Sequence, residues 1–438
     1  MVTVVGFILL LAVVMVLIKG RVALPIVFVL FPVIAAVILG FPMSEITGFV
    51  GKGLSSVLNV AALFTFSVTY FSMMNDVGMF DVIVKKVMRY MGNKVALALL
   101  LAAFVATISH LDGSGATTML VTIPTMLPIF RKMKIRPEAL LLFASAASGI
   151  MNLLPWCSSV MRLSSSTALD PQLLWRTVFP LQVVGLILVY AMTIPIAKME
   201  RKNGAGMSDE EFEMLKTDIV GDGGAASLAG VQVNQKLIAF NMLLTLGLIV
   251  VLLTGLINAN LGFMMAFAIG LFVNYRDVKV QNGKIKEFGG NAMNMVMVIF
   301  AIGVFLGIMQ NTGMIEGMAN TILAFIPESL GGSLIFIIAI FSVPLSVIIG
   351  SDAVYLVLAP ILISIAAQFG GTAMSVGTSL LIGGSISANI TLIGPTPYLA
   401  LGLANVSMGD HLRYSFKWIW GIGVILAIIG GFIGIIPF

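Results

Sequence analysis

Charge is what this 438-residue chain has least of: 24 Lys and Arg with 19 Asp and Glu make up only 10% of it. A soluble domain carries roughly 25% charged residues, so this chain cannot clothe a water-facing surface of ordinary size. Cysteine occurs once, as Cys157, which excludes an intramolecular disulfide framework and any cysteine-cluster metal site. The two histidines, His110 and His411, lie far apart in sequence and form no zinc motif. There is no His-Glu metal motif and no Ser-His pair at matched depth, which argues against an enzyme. Between Glu287 and Leu412 there is no Lys or Arg at all, so the exposed parts of that stretch are expected to face outward. The net charge of +5 does not signal nucleic-acid binding, because the cations fall in short loops between apolar runs.

What the chain has instead is apolar length. Hydrophobic residues make up 59% of it and the mean hydropathy is +1.10. Runs such as 4–18, 22–39, 255–273 and 334–349 approach the ~20 residues that cross a bilayer as a helix. They lack the alternation of a β-barrel strand. The chain therefore reads as an all-α polytopic membrane protein. The first run has no basic start and no small-residue cleavage site, and Lys19 and Arg21 follow it, so it reads as a retained transmembrane helix. The positive-inside rule puts Lys19 and Arg21 in the cytoplasm, an external loop at 40–53 with Glu45 and Lys52, and a third helix over 55–74. Residues 81–89, with Lys85, Lys86 and Arg89, read as an amphipathic segment on the membrane surface. Residues 276–286 read as a basic loop.

Two interruptions recur in the same order. In the first half, the polar stretch His110-Leu111-Asp112-Gly113-Ser114-Gly115-Ala116-Thr117-Thr118 lies between basic ends, as the tip of a hairpin that enters the membrane and returns. A helix beginning near Pro137 then breaks around Asn152 and Pro155, since proline cannot continue the hydrogen-bond ladder. In the second half, Ile349-Gly350-Ser351-Asp352 makes a comparable tip, and Asn389 with Gly394-Pro395-Thr396-Pro397 a comparable break. Asp76-Val77-Gly78-Met79 likewise matches Asn311-Thr312-Gly313-Met314. The expected architecture is two inverted repeats, each of five transmembrane helices and one re-entrant hairpin. Residues 1–200 form the first (hairpin 94–131, broken helix 138–168). A cytoplasmic linker covers 201–235, and 236–438 form the second (hairpin 332–369, broken helix 373–407). Matched interruptions in two halves point to a transporter's binding site.

The candidate residues follow from that pattern. Asp112 and Asp352 are carboxylates at membrane depth, where a charge is costly unless it works in a cavity; they are candidates for the coupling cation or proton. His110 beside the first tip is a third, since imidazole titrates near neutral pH. Gly113, Ser114, Gly115, Thr117 and Thr118 suit an anion cradle at a helix N-terminus. Asn152, Asn389, Ser351 and Thr396 flank the breaks and the second tip as polar binding groups, with Ser148, Ser385 and Ser387 weaker. Arg162, alone in an uncharged segment, suits a carboxylate clamp or a side chain snorkelling to the interface. His411, beside Asp410 and Arg413, reads as part of a structural hydrogen-bond cluster.

The first tip, the following Ile123-Pro124 and Leu127-Pro128, Met151-Asn152-Leu153-Leu154-Pro155-Trp156, Ser351-Asp352-Ala353 with Tyr355, and Gly409-Asp410-His411 resemble the citrate–divalent metal:proton symporters, the CitMHS family of the ion transporter superfamily. The resemblance covers nearly the whole chain outside the linker. It implies an elevator-type transporter, in which a substrate-carrying domain slides past a dimerising scaffold in the plasma membrane. It also implies uptake of citrate or a related di- or tricarboxylate with protons, as a complex with Mg²⁺ or Ca²⁺, by a homodimer without a resident cofactor. The same fold leaves open a sodium-coupled carboxylate carrier, with Na⁺ in place of protons, or a sodium/proton antiporter. Two departures from the family pattern fall near the expected site. The family tip usually reads Asp-Gly-Asp-Gly, and here Ser114 replaces the second carboxylate. After Trp156 the family tends to Gly-Gly-Pro, and here the chain has Cys157-Ser158-Ser159. Losing a carboxylate weakens the case for a hard divalent cation, which wants several oxygen ligands.

Overall fold

In a computed structural model, residues 1–19, 22–80, 82, 94–208, 235–325, 327–392 and 394–437 are described. Among them there is no β-strand. The expected surface segment 81–89 and the linker core 209–234 lie outside the described residues, Val82 apart. The helices are α1 (Val2–Lys19), α2 (Leu24–Ile38), α3 (Met43–Asp76), α4 (Val95–Ser109), α5 (Gly115–Lys132), α6 (Pro137–Met151), α7 (Ser158–Thr167), α8 (Pro171–Ala191) and α9 (Thr193–Lys202). They continue with α10 (Gln235–Thr254), α11 (Ala259–Asn274), α12 (Val278–Asn311), α13 (Met314–Leu323), α14 (Leu334–Ile349), α15 (Ala359–Ala367), α16 (Ala373–Ile386), α17 (Pro395–Ala404) and α18 (Met408–Phe432).

Local chemistry sets many of these ends. Pro137, Pro171 and Pro395 open α6, α8 and α17 at the one place where a missing N–H costs nothing. Asp170 accepts the Leu173 amide at 2.7 Å to cap α8. Thr372 and Ser375 form a reciprocal capping box at α16. Three features differ from the sequence reading. The stretch 40–53 is not a loop: the turn is confined to Gly40 (φ 86°) and its neighbours, and α3 starts at Met43 with Glu45 in its positive first turn. The basic stretch 276–286 is mostly the start of α12, because Asp277 accepts the amides of Lys279 and Val280 and caps it. Helix α13 was not anticipated; Gly313, at φ 77°, turns the chain into it.

Among the described residues six helices are long and apolar enough to cross a membrane, α3, α10 and α18 included, and several shorter ones are also apolar. Large side chains such as Ile8 (61%), Leu243 (70%) and Phe272 (75%) stay exposed on their outer faces. In water such a shell would aggregate; in lipid it is the ordinary surface.

Inside, α3 and α12, each 34 residues long, pack against one another along their length. They run antiparallel, for Lys52 reaches Asn311 at 3.0 Å while Lys284 pairs with Asp76 at 2.6 Å. Glycines allow the close approach: a Cβ on Gly303 would stand 2.8 Å from the Gly53 carbonyl oxygen and 2.8 Å from Val57. Beyond the apolar span, Tyr275 donates to Asp76 at 2.5 Å. Burial, and then that bond, pushes the Tyr275 phenol well above its ordinary value, so it remains a donor. At the start of α6, Arg136 grips buried Glu200 of α9 with Nη2 at 2.7 Å and Nε at 3.0 Å, and Tyr414 of α18 donates to the same carboxylate at 2.8 Å.

The α3–α12 contact is open to a direct test. Gly303→Leu should destabilise the protein by about 1–3 kcal/mol through overpacking, read as a lower unfolding temperature in detergent. Gly289→Leu on the same helix meets nothing within 4 Å and should leave that temperature unchanged. Equal effects of the two would show that the crossing does not set stability.

Candidate functional site

The first tip is built from its backbone. Helix α4 ends at Ser109, His110–Asp112 tightens into a 3-10 turn, and Gly113 turns the chain at φ 75°. A side chain there would be strained by that φ, and a Cβ would lie 3.3 Å from Trp156 and 3.4 Å from the Cys157 sulfur. Asp112 accepts the Ser114 amide at 2.8 Å, the Asx-turn bond that favours aspartate at such a position. Ser114 then caps α5 by accepting the Thr117 amide at 3.2 Å and its hydroxyl at 3.0 Å. The Trp156 indole donates to the Leu111 carbonyl at 2.8 Å and pins the tip to the break after α6.

His110 lies behind the tip, with no exposed surface. Its Nδ1 is 2.7 Å from the Thr118 hydroxyl, and its Nε2 is 3.0 Å from Asn152 Oδ1. Thr118 also donates to the Ser114 carbonyl at 2.8 Å. Hydrogen counting gives this arrangement a meaning. With Nε2–H donating to Asn152, a neutral ring has a bare Nδ1 that needs the Thr118 hydrogen, which Ser114 then loses. The other neutral tautomer meets every demand: Nδ1–H donates to Thr118, Thr118 keeps its hydrogen for Ser114, and the bare Nε2 accepts from the Asn152 amide once that amide is turned.

The second break meets the first tip from the other side. Helices α6 and α16 cross where a Cβ on Gly149 would be 2.7 Å from the Ile386 carbonyl oxygen. Asn389 donates to Ser148 on α6 at 2.8 Å. A Cβ on Gly115 would sit 3.1 Å from Thr396 and 3.5 Å from Asn389 Oδ1. Three helix N-termini therefore converge: α5 at Gly115, α7 just after Cys157, and α17 at Thr396. Each brings partial positive charge, and α5 and α7 bring first-turn amides, whereas Pro395 and Pro397 leave α17 only that of Thr396 in its first three residues; together these are the makings of an anion site.

The second tip is made differently. Gly350 turns at φ 84°, and Ser351 donates to the Gly384 carbonyl at 3.1 Å. Asp352 follows that glycine, whereas Asp112 precedes Gly113, so the two carboxylates do not occupy equivalent places. Asp352 pairs with Arg162 of α7 at 2.8 Å. Ser166, one turn on, donates to the Tyr355 carbonyl at 2.5 Å.

The sequence candidates thus fall into two groups. Gly113, Ser114, Gly115, Thr117, Asn389 and Thr396 surround the first tip with Asp112, while Thr118, His110 and Asn152 support it from behind. Ser351, Asp352 and Arg162 gather at the second tip. Helix α7 joins the groups: Cys157 to Arg162 is five residues, roughly 7.5 Å of helical rise. Sequence reasoning named Trp156, Cys157 and Tyr355 only within the family motifs and not as site residues; an aromatic directly after a helix-breaking proline was the available signal for Trp156, which holds the first tip. His411 is not part of a cluster with Asp410 and Arg413. It is 1% exposed, contacts Ser415 at 3.1 Å and faces the Asn389 backbone, while Asp410 bonds Ser407 at 2.7 Å. Among the described residues no three His, Cys, Asp or Glu side chains come together to hold a metal ion.

An all-helical apolar fold with broken helices meeting at buried polar tips defines a membrane transport protein. The sequence profile of the citrate transporter family, CitMHS, matches residues 1–279. The chain is 32% identical to the citrate transporter of Bacillus subtilis (strain 168) over 446 aligned positions, covering 100% of both chains. It is 31% identical to the Mg(2+)/citrate complex secondary transporter of the same organism, covering 95% of each. The chain belongs to the citrate transporter family. In fold it is similar to the Alcanivorax borkumensis YdaH transporter (TM-score 0.59, 15% identity, 89% of this chain and 87% of that one). It is also similar to Neisseria gonorrhoeae MtrF (TM-score 0.52, 15% identity, 90% and 83%).

Cys157 gives a readout of the tip. Trp156→Phe removes the bond to Leu111, about 1 kcal/mol, and should raise the labelling rate of buried Cys157 by about fivefold. An unchanged rate would mean that the indole does not hold the tip.

Proposed function

We propose that this protein imports citrate, or a related di- or tricarboxylate, in symport with protons, and that Mg²⁺ or Ca²⁺ travels with the substrate. The observation that carries the reading is the convergence of the N-termini of α5, α7 and α17 around Gly113, Ser114, Gly115, Thr117, Asn389 and Thr396. Backbone amides and small hydroxyls suit carboxylates without bringing in a cation that would need neutralising. Asn152 supports the site through His110, and Arg162 and Ser351 extend it. Asp112, Asp352 and His110 handle the proton. The metal arrives with its ligands: citrate supplies the carboxylate oxygens that the two tips lack, which fits the relative named for a Mg(2+)/citrate complex. Citrate with Mg²⁺ has charge −1, and two protons make the transported unit +1, which an inside-negative potential of 100 mV favours by about 2.3 kcal/mol.

The architecture belongs to the same proposal: two inverted repeats, 1–200 and 236–438, joined by the linker 201–235 and working as an elevator in a homodimer. Several features support it. Helices α3 and α12 have equal length, and both tips turn on a glycine of positive φ. Each post-break helix packs against the other half's hairpin, α17 on α5 and α7 on the segment Val354–Leu358.

Sealed proteoliposomes with an imposed proton gradient test the function. Citrate uptake should require the gradient and increase with Mg²⁺ or Ca²⁺. Uptake driven by Na⁺ alone would replace the proton reading with a sodium-coupled carrier, and no citrate movement under any gradient would overturn the substrate. Ser114→Asp keeps a capping oxygen at the start of α5 and restores the family's second carboxylate. It should lower the half-saturating Mg²⁺ concentration for citrate uptake, measured in the same vesicles.

A further inference from the structure

The second tip holds an ion pair that is only partly made. Arg162 is the only Lys or Arg between Arg136 and Arg176, and Asp352 the only Asp or Glu between Glu328 and Asp410. Arg162 Nη1 lies 2.8 Å from Asp352 Oδ1. The Arg162 Nε is buried and has no hydrogen-bond partner. A guanidinium binds a carboxylate best as a fork, with two parallel N–H donors; Arg136 grips Glu200 through its Nε and Nη2, whereas Asp352 sits at Nη1 of Arg162 and leaves Nε without a partner. The pair is not sealed in the core, since the Arg162 side chain is 20% and the Asp352 side chain 33% exposed. Helix α7 carries Arg162 one turn from its own N-terminus, and that N-terminus faces the first tip.

We infer that Asp352 is a stand-in for the substrate: it occupies Arg162 while the site is empty, and an incoming substrate carboxylate takes its place on the guanidinium. This rests on the carboxylate-transport reading above. Once displaced, Asp352 is a second carboxylate beside the one cation that both would share. Two such groups at close range do not both stay ionised, so Asp352 takes up a proton as the substrate binds. No bond is made or broken other than its O–H. The surroundings leave the task to that group. Arg162 on α7 and Tyr355 in the adjoining turn are the titratable or charged groups that face it, for α14, α15 and α16 carry no ionisable side chain. Anion binding and proton uptake are thereby one event, and the ion pair balances the charge of the empty second tip.

Calorimetric titration of the purified, detergent-solubilised protein with citrate, in buffers of different ionisation enthalpy, counts the protons taken up per citrate bound. Asp352→Asn should bind citrate more tightly at neutral pH, because the competitor is gone, and should take up about one proton fewer. Arg162→Gln should weaken binding by about tenfold. Asp352→Ser, smaller and equally uncharged, serves if the asparagine variant does not fold, and should lose the same proton. An unchanged proton count in a folded Asp352 variant that still binds citrate overturns this inference and leaves the transport reading standing. Wild-type protein that binds no citrate overturns both.

Discussion

A helix interrupted inside a membrane exposes backbone donors and acceptors where no water can satisfy them, and the centre of this protein is organised by that requirement. Helix α6 stops at Met151 and α16 at Ile386, and each leaves carbonyls and amides in the interior. The two broken helices answer one another. They touch backbone to backbone at Gly149, and Asn389 on the second break reaches Ser148 on the first. The second break is also tied to α14, where Thr391 and Leu392 donate to the carbonyls of Ser346 and Val347 at 3.0 Å each. What gathers there is a set of helix N-termini, those of α5, α7 and α17. The anion site proposed above would be a consequence of that constraint, made of helix-start amides that a carboxylate can use.

Charge is distributed to match. Bidentate Arg136, with Tyr414, saturates Glu200 at a helix junction, and Lys284 is shared by Asp76 and Glu287 at the end of the α3–α12 pair. These networks are complete, and completeness suits a structural joint. The tips differ. Asp112 is held by the Ser114 amide and the Thr117 side chain, but Arg162 leaves Nε without a partner. In a chain with so few charges, an incomplete network at membrane depth is where the proposed substrate would find an open partner.

The class of protein and its family were legible in the sequence, because a chain with 10% charge has only one kind of solvent open to it and the tip motifs are spaced along nearly its whole length. The interruptions were legible through Pro155 and Gly394-Pro395, since proline acts locally. The start of α12 was not: Lys279, Lys284 and Lys286 looked like a loop, yet Asp277 caps a helix that runs on past the apolar span. Helix α13 was hidden because its ten residues are too short for a hydropathy signal. At the site, residue types pointed to the tips, but partnership had no linear trace. Nothing in the spacing of His110 and Asn152 says that they bond, or that His411 turns inward to the Asn389 backbone while its neighbour Asp410 stays at the surface.

Helix α7 sets the scale on which the two tips cooperate. Its N-cap, Cys157, lies at the first tip and Arg162 at the second, with roughly 7.5 Å of rise between them. A monocarboxylate can satisfy one of these positions at a time. A di- or tricarboxylate can place one carboxylate on the amides of α5 and α17 and another on Arg162, so that both tips are held by one molecule. A divalent ion folds citrate around itself and shortens the distance between its carboxylates. The length of α7 therefore bears on whether the free anion or its metal complex fits, and Ser114, which withdraws a second protein carboxylate from the first tip, shifts the burden of holding that ion onto the substrate.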